Sequence, residues 1–148
     1  MNQTLKKAYA YYRDHDDLLS FVEEIQAKYG YVSSEHMKEI ASLWGVSVGE
    51  IYGLVTFYSF LSTGATGRNV LKVCNSTSCY LKNCQSIVEI IERELGIKPG
   101  ETTDDGGVSL QLVNCIGACD QSPAMMVNDK VYVNLTPESI RMILKECK

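Results

Sequence analysis

Four of the six cysteines stand in two close pairs, Cys74-x4-Cys79 and Cys115-x3-Cys119, with thirty-five residues between the pairs. Thiolates are soft ligands, and four of them gathered in one place can hold a structural zinc ion or a two-iron cluster. Each pair follows a strand-like run and sits among small residues, Ser76, Thr77 and Ser78 in the first turn and Gly117 and Ala118 in the second. Small residues let backbone N–H groups approach sulfur, and such hydrogen bonds help set a reduction potential. A [2Fe–2S] cluster takes two thiolates per iron, one pair from each turn. Zinc knuckles space their cysteines by two to four residues, which leaves the Cys74 pair at the wide limit. The spacing therefore favours iron–sulfur chemistry and leaves zinc as the alternative.

Two plainer readings compete. Free Cys is among the most buried residue types, so four inert core thiols are conceivable. Two pairs placed at turns after strands argue against that. A thiol–disulfide enzyme relies on Cys-x-x-Cys at the first strand–helix turn, and the sequence contains no Cys-x-x-Cys. Cys84 falls on an apolar helical stripe and reads as core, and Cys147 reads as a free thiol near a terminus prone to fraying. His15 and His36 lie far from the cysteine turns in sequence and read as surface residues, which disfavours a Rieske-type site.

The elements that carry the pairs can be traced from periodicity. Asn69 to Cys74 reads as a strand, followed by a helix from about Cys79 to Leu95 with Leu81, Cys84, Val88, Ile91 and Leu95 on one stripe. A second strand runs from Val108 to Asn114. Ala124–Val127 and Lys130–Val133 flank Asn128-Asp129, a two-residue hairpin turn, with Pro123 expected to begin an edge strand. Thr136-Pro137-Glu138 caps a last helix carrying Ile140, Ile143, Leu144 and Cys147. Strand, crossover helix and strand favour a parallel pair with right-handed connection. Parallel strands end on one edge of a sheet, where open α/β sheets bind ligands.

Residues up to about Ser62 read as three short helices. The first carries Leu18, Val22, Ile25 and Tyr29 between an Asp16 or Asp17 cap and Gly30. The second carries Met37, Ile40, Ala41 and Trp44 between Ser33 or Ser34 and Gly45. The third opens on the capping box Ser47-x-x-Glu50 and presents Ile51, Leu54, Val55 and Tyr58. Phe57, Tyr58 and Phe60 read mostly as core, with one or more facing a partner. Tyr9-Ala-Tyr-Tyr12 shows no pattern of its own and is expected to form an arm that orders on a partner. The polar stretch Ser62 to Asn69 reads as a linker.

Composition narrows the function. At 148 residues, 45% apolar and 22% charged, the chain has the make-up of a globular protein. A net charge of −4 with no basic stripe argues against a nucleic-acid partner. No secretory signal or spanning stretch is apparent, so no direct membrane insertion and a cytoplasmic location are expected. A reducing compartment makes the cysteines ligands or buried thiols in preference to disulfides.

With these motifs in place, the chain resembles the small [2Fe–2S] subunit of NADH:quinone oxidoreductase (complex I) and its relatives in NAD-linked or electron-bifurcating hydrogenases and formate dehydrogenases. The resemblance rests on Cys74-Asn-Ser-Thr-Ser-Cys79 and Cys115-Ile-Gly-Ala-Cys119, and on Asp120-Gln-Ser-Pro-Ala-Met-Met-Val-Asn-Asp129. It extends upstream to Glu24-Ile-Gln-Ala-Lys-Tyr-Gly-Tyr31 and Thr56-Phe-Tyr-Ser59. One departure is Ser122, where the pattern leads one to expect Ala before Pro123.

The resemblance implies a mixed α+β and α/β chain: an N-terminal small helical bundle over 1–62, for partner docking, and a thioredoxin-like [2Fe–2S] ferredoxin domain over 69–148. It implies cluster ligation by Cys74 and Cys79 on one iron and by Cys115 and Cys119 on the other. The implied partner is a larger iron–sulfur flavoprotein that binds FMN and NAD(H), since this chain has no Gly-rich nucleotide fingerprint. The chain would then be an electron carrier without its own substrate site, within an NADH-dependent oxidoreductase. A freestanding ferredoxin and a zinc-stabilised scaffold are the alternatives.

Overall fold

A computed structural model describes the backbone of residues 3–14 and 16–147, and side chains from residue 9 onward within those ranges. His15 lies outside the described residues. The chain divides into two compact units, Met1–Ala65 and Thr66–Lys148.

The first unit is helical: α1 (Gln3–Asp14), α2 (Leu18–Tyr29), α3 (Ser34–Trp44) and α4 (Val48–Phe57). Its local signals work as the sequence leads one to expect. Asp17 caps α2 through the Ser20 N–H, and Gly30 ends it in the left-handed region. Ser47 and Glu50 close a reciprocal capping box on α4. Phe21, Val22, Ile25, Met37, Ile40, Trp44, Ile51 and Val55 form the core.

Three expectations for this segment are corrected. The tyrosine cluster is not a loose arm: it belongs to α1, where Tyr9 packs edge-on against Trp44 at 4.9 Å and donates its hydroxyl to the Leu43 carbonyl at 2.8 Å. Phe57, Tyr58 and Phe60 are not core; they are 76%, 41% and 42% exposed, because α4 ends at Phe57 and turns its last aromatics away from Ile51 and Val55. His36 is half-buried and structural, its Nδ1 accepting the Ser33 N–H at the start of α3. Among the described residues no single helix is long and apolar enough to cross a membrane. The α3–α4 pair passes on composition alone but is bent by 118° at its junction.

The second unit is a four-stranded mixed sheet in the order β2-β1-β3-β4, from β1 (Asn69–Cys74), β2 (Val108–Val113), β3 (Met125–Val127) and β4 (Lys130–Tyr132). β1 and β2 are parallel with Cys74 opposite Val113, while β3 runs antiparallel to both β1 and β4. Period-two alternation puts Leu71, Val73, Val108, Leu110, Met125 and Val127 together in the buried core. There they meet Ile87, Val88 and Ile91 of α6 (Cys84–Leu95) and Ile140, Ile143 and Leu144 of α7 (Pro137–Cys147). Full burial of such a side chain contributes about 1.5–3 kcal/mol.

The crossover is not one helix. A short α5 (Thr77–Leu81) is separated from α6 by Asn83, which sits in the left-handed region at φ +61. Leu81 is consequently 78% exposed and leaves the stripe expected for it. Pro123 precedes β3, an inner strand flanked by β1 and β4, so it does not begin an edge strand; the Ser122–Pro123 bond is cis. Cys147 is buried in the sheet core.

Candidate metal centre

The two cysteine turns lie at the end of the sheet where β1 and β2 finish, with Ile116 and Ala118 of the second packed against the side-chain cluster that holds Cys74 and Cys79. Cys74 is the last residue of β1, and Asn75 continues the ladder by donating its N–H to the Val113 carbonyl at 2.9 Å. That bond fixes the first cysteine turn beside the chain that leads to Cys115. Cys79 lies on α5, and Cys119 opens a short 3-10 turn, α-helix-like but tighter, over Cys119–Gln121.

The two pairs differ in environment. Cys74 and Cys79 are each 1% exposed and pack with Cys84 and Ala124 in a small cluster bordered by Ile116, Ala118 and Val133. Cys115 and Cys119 are exposed, with their sulfurs 3.2 Å apart. The Gly117 N–H points at the Cys115 sulfur at 3.4 Å. Gly117 reaches that position at φ +87, a backbone conformation suited to glycine.

Cys74, Cys79 and Cys119 are each biased by the groups around them. The Cys74 thiol is pushed up by burial, but N–H groups of Ser76 and Ile116 and the neighbouring Cys79 outweigh this and hold it below the ordinary thiol range. Burial and then Cys74 push the Cys79 thiol up, against the Ala124 N–H and the Ser122 hydroxyl. Cys119 is raised chiefly by Cys115 beside it, with the Ser78 hydroxyl opposing. Ile116 and Ala118 of the second turn pack against the side-chain cluster that holds Cys74 and Cys79 of the first.

Cys84 is buried beside the first pair, its Sγ 3.6 Å from Asn75 Oδ1, and burial raises its thiol. It is a core residue, as the sequence indicates, but its neighbours are Cys74 and Cys79. Sequence reasoning missed two backbone links to the cysteines: the Ser122 hydroxyl donates to the Cys119 carbonyl at 2.6 Å, and the Ala124 carbonyl accepts the Cys74 N–H at 3.2 Å. No spacing rule marks them, because they arrive on the β3 side of the sheet.

Among the described residues no three His, Cys, Asp or Glu side chains are gathered as ligands of a single ion. Two thiol pairs with backbone N–H groups around them are a donor set that suits a [2Fe–2S] group. The residues present fit that group.

Comparison with known proteins agrees with this chemistry. The family model described as thioredoxin-like [2Fe–2S] ferredoxin matches residues 2–148. A subunit of the NADH-quinone oxidoreductase of Escherichia coli (strain K12) is 36% identical over 124 residues, covering 84% of this chain and 75% of that protein. Its namesake in Buchnera aphidicola subsp. Baizongia pistaciae is 36% identical over 128 residues, covering 86% and 75%. The HndA subunit of the NADP-reducing hydrogenase of Solidesulfovibrio fructosivorans is 33% identical over 129 residues, covering 87% and 75%. In fold, 88% of the chain is similar to 22% of a chain in the crystal structure of an air-oxidised NAD+-reducing [NiFe]-hydrogenase, with a TM-score of 0.73 at 19% identity. Two thiol pairs on a mixed four-stranded sheet, in a sequence matched almost end to end, make this chain a member of the thioredoxin-like [2Fe–2S] ferredoxin family.

Proposed function

We propose that this chain is the electron-transfer subunit of an NADH-linked, flavin-containing oxidoreductase. It holds one [2Fe–2S] cluster through Cys74 and Cys79 on one iron and Cys115 and Cys119 on the other. The observation that carries the reading is the meeting of the two turns at one end of the sheet, where Ile116 and Ala118 of the second pack against the side-chain cluster that holds Cys74 and Cys79 of the first.

Bound there, the group supplies a one-electron couple. The chain's own residues do the rest. β1 and β2 fix the spacing of the pairs. N–H groups of Ser76, Ile116, Gly117 and Ala124 offset negative charge on sulfur. Ala124, Ile116, Ala118 and Val133 line the buried pair with apolar surface. The exposed pair, Cys115 and Cys119, faces outward, where a partner can approach.

The partner is a larger iron–sulfur flavoprotein carrying FMN and binding NAD(H), in a multi-subunit complex in the cytoplasm. Residues 1–62 act as a helical bundle that docks on it, and residues 69–148 form the cluster domain. Tyr52, Phe57, Tyr58 and Phe60 support a docking role, since exposed aromatics are enriched in interface cores.

The test is anaerobic isolation of the tagged chain from its native host. A co-isolated flavoprotein, and visible bands that bleach when NADH is added, are expected. A chain that isolates alone, with bands untouched by NADH in the whole extract, contradicts the reading.

A further inference from the structure

The sulfurs of Cys115 and Cys119 lie 3.2 Å apart, and both residues are exposed. The turn that joins them is held from within. Its Gly117 N–H meets the Cys115 sulfur at 3.4 Å with Gly117 at φ +87, and the Gln121 N–H donates to the Ala118 carbonyl at 3.2 Å. The other cysteines are in a different situation. Cys74 and Cys79 are each 1% exposed and packed with Cys84 and Ala124, and Cys147 is buried in the sheet core. The thiols therefore divide into one adjacent pair that a reagent in solution can reach and four that it cannot.

Thiol–disulfide exchange needs access to an attacking thiolate and a second sulfur close enough to resolve the mixed disulfide. The second turn supplies both, whereas the first lacks the access. An accessible thiol with no neighbour to resolve it is left open to sulfinic and sulfonic acids, which do not return to thiol unaided.

We propose that Cys115 and Cys119 form a redox switch in the chain before it takes up its cluster. They close to a disulfide under oxidising conditions, while Cys74 and Cys79 stay thiols. With glutathione disulfide as oxidant, one thiolate of the pair attacks a glutathione sulfur and releases one glutathione. The other then attacks the mixed disulfide at the protein sulfur and releases the second glutathione. One S–S bond breaks and one forms; two electrons and two protons pass from the protein thiols to the glutathione. Resting on the cluster-binding reading above, the disulfide withholds half of the ligand set and keeps the chain unloaded until a dithiol reductant reopens it.

The test uses the full-length chain, stripped of iron by a chelator under reducing conditions and then exposed to glutathione disulfide. Thiols are alkylated at intervals and the tryptic segments are weighed. Cleavage at Lys82 and Arg93 puts Cys74 with Cys79, Cys84 by itself, and Cys115 with Cys119 on separate segments. In the native chain the Cys115–Cys119 disulfide is expected to form at least about tenfold faster than any other, because exchange follows access. In denaturant, where access is equal, the two pairs are expected to close within about threefold of each other. The oxidised chain is expected to take up less than about one-tenth of the iron and sulfide taken up by the reduced chain, and dithiothreitol to restore uptake. Equal closure of both pairs in the native chain, a first disulfide that involves Cys74, Cys79 or Cys84, or persistent glutathione adducts at Cys115 and Cys119 overturns the proposal. So does full uptake by the oxidised chain. A reduced chain that takes up no iron and sulfide would instead sink the cluster-binding reading, and is told apart from failure of the switch because the disulfide is read by mass.

Discussion

Burial works against a thiolate at Cys74, while the Ser76 and Ile116 N–H groups and the Cys79 thiol work for it, and the hydrogen bonds prevail. At Cys79 burial prevails, so the two neighbours are pushed in opposite directions and Cys74 gives up its proton more readily. On the proposed reading, cluster binding at this pair is coupled to the order of the turns. Cys74→Ser and Cys115→Ser are each expected to lose or badly destabilise the cluster, read as iron per chain. Cys84→Ser is expected to retain it and to cost about 1–3 kcal/mol in denaturant unfolding, through an underpaired buried hydroxyl. Loss of iron in Cys84→Ser with retention in Cys79→Ser would show the ligand set to be misassigned.

The break between α5 and α6 positions Cys79 and sends Leu81 outward. It depends on Asn83 tolerating φ +61. Asn83→Gly is expected to be near neutral, and Asn83→Val to destabilise by about 1–2 kcal/mol, measured by chemical denaturation. A Val variant as stable as the parent would mean that the break is set by tertiary packing alone.

Much of the cluster unit was legible because its signals are local: alternation in β1 and β2, Asn128-Asp129 at the hairpin, Thr136 before α7. Asn83 gave no such signal, since a lone Asn inside an apolar stripe reads as a tolerated helical residue. Nor could periodicity show that β3 pairs with β1, which makes it an inner strand. In the helical unit α1 went unseen because its tyrosines find their partners, Phe21, Leu43 and Trp44, far along the chain. The cysteine pairs were readable from spacing, whereas the asymmetry of one buried and one exposed pair was not.

Each unit has its own apolar core, one around Phe21, Ile40 and Ile51 and the other around Leu71, Leu110 and Ile140. On the proposed reading this permits a division of labour, docking in one unit and electron transfer in the other. Phe57→Asp combined with Phe60→Asp removes exposed aromatics without touching either core. The double variant is expected to keep its cluster and its fold while weakening association with the flavoprotein at least tenfold, as loss of interface aromatics does. Unchanged association, measured by co-isolation, would place the docking surface elsewhere. The central claim, that the two turns together hold a pair of irons, is tested most directly by quantifying iron and acid-labile sulfide in the anaerobically purified chain. Two irons and two sulfides per chain are the predicted result. Zinc at one ion per chain with no sulfide would contradict it.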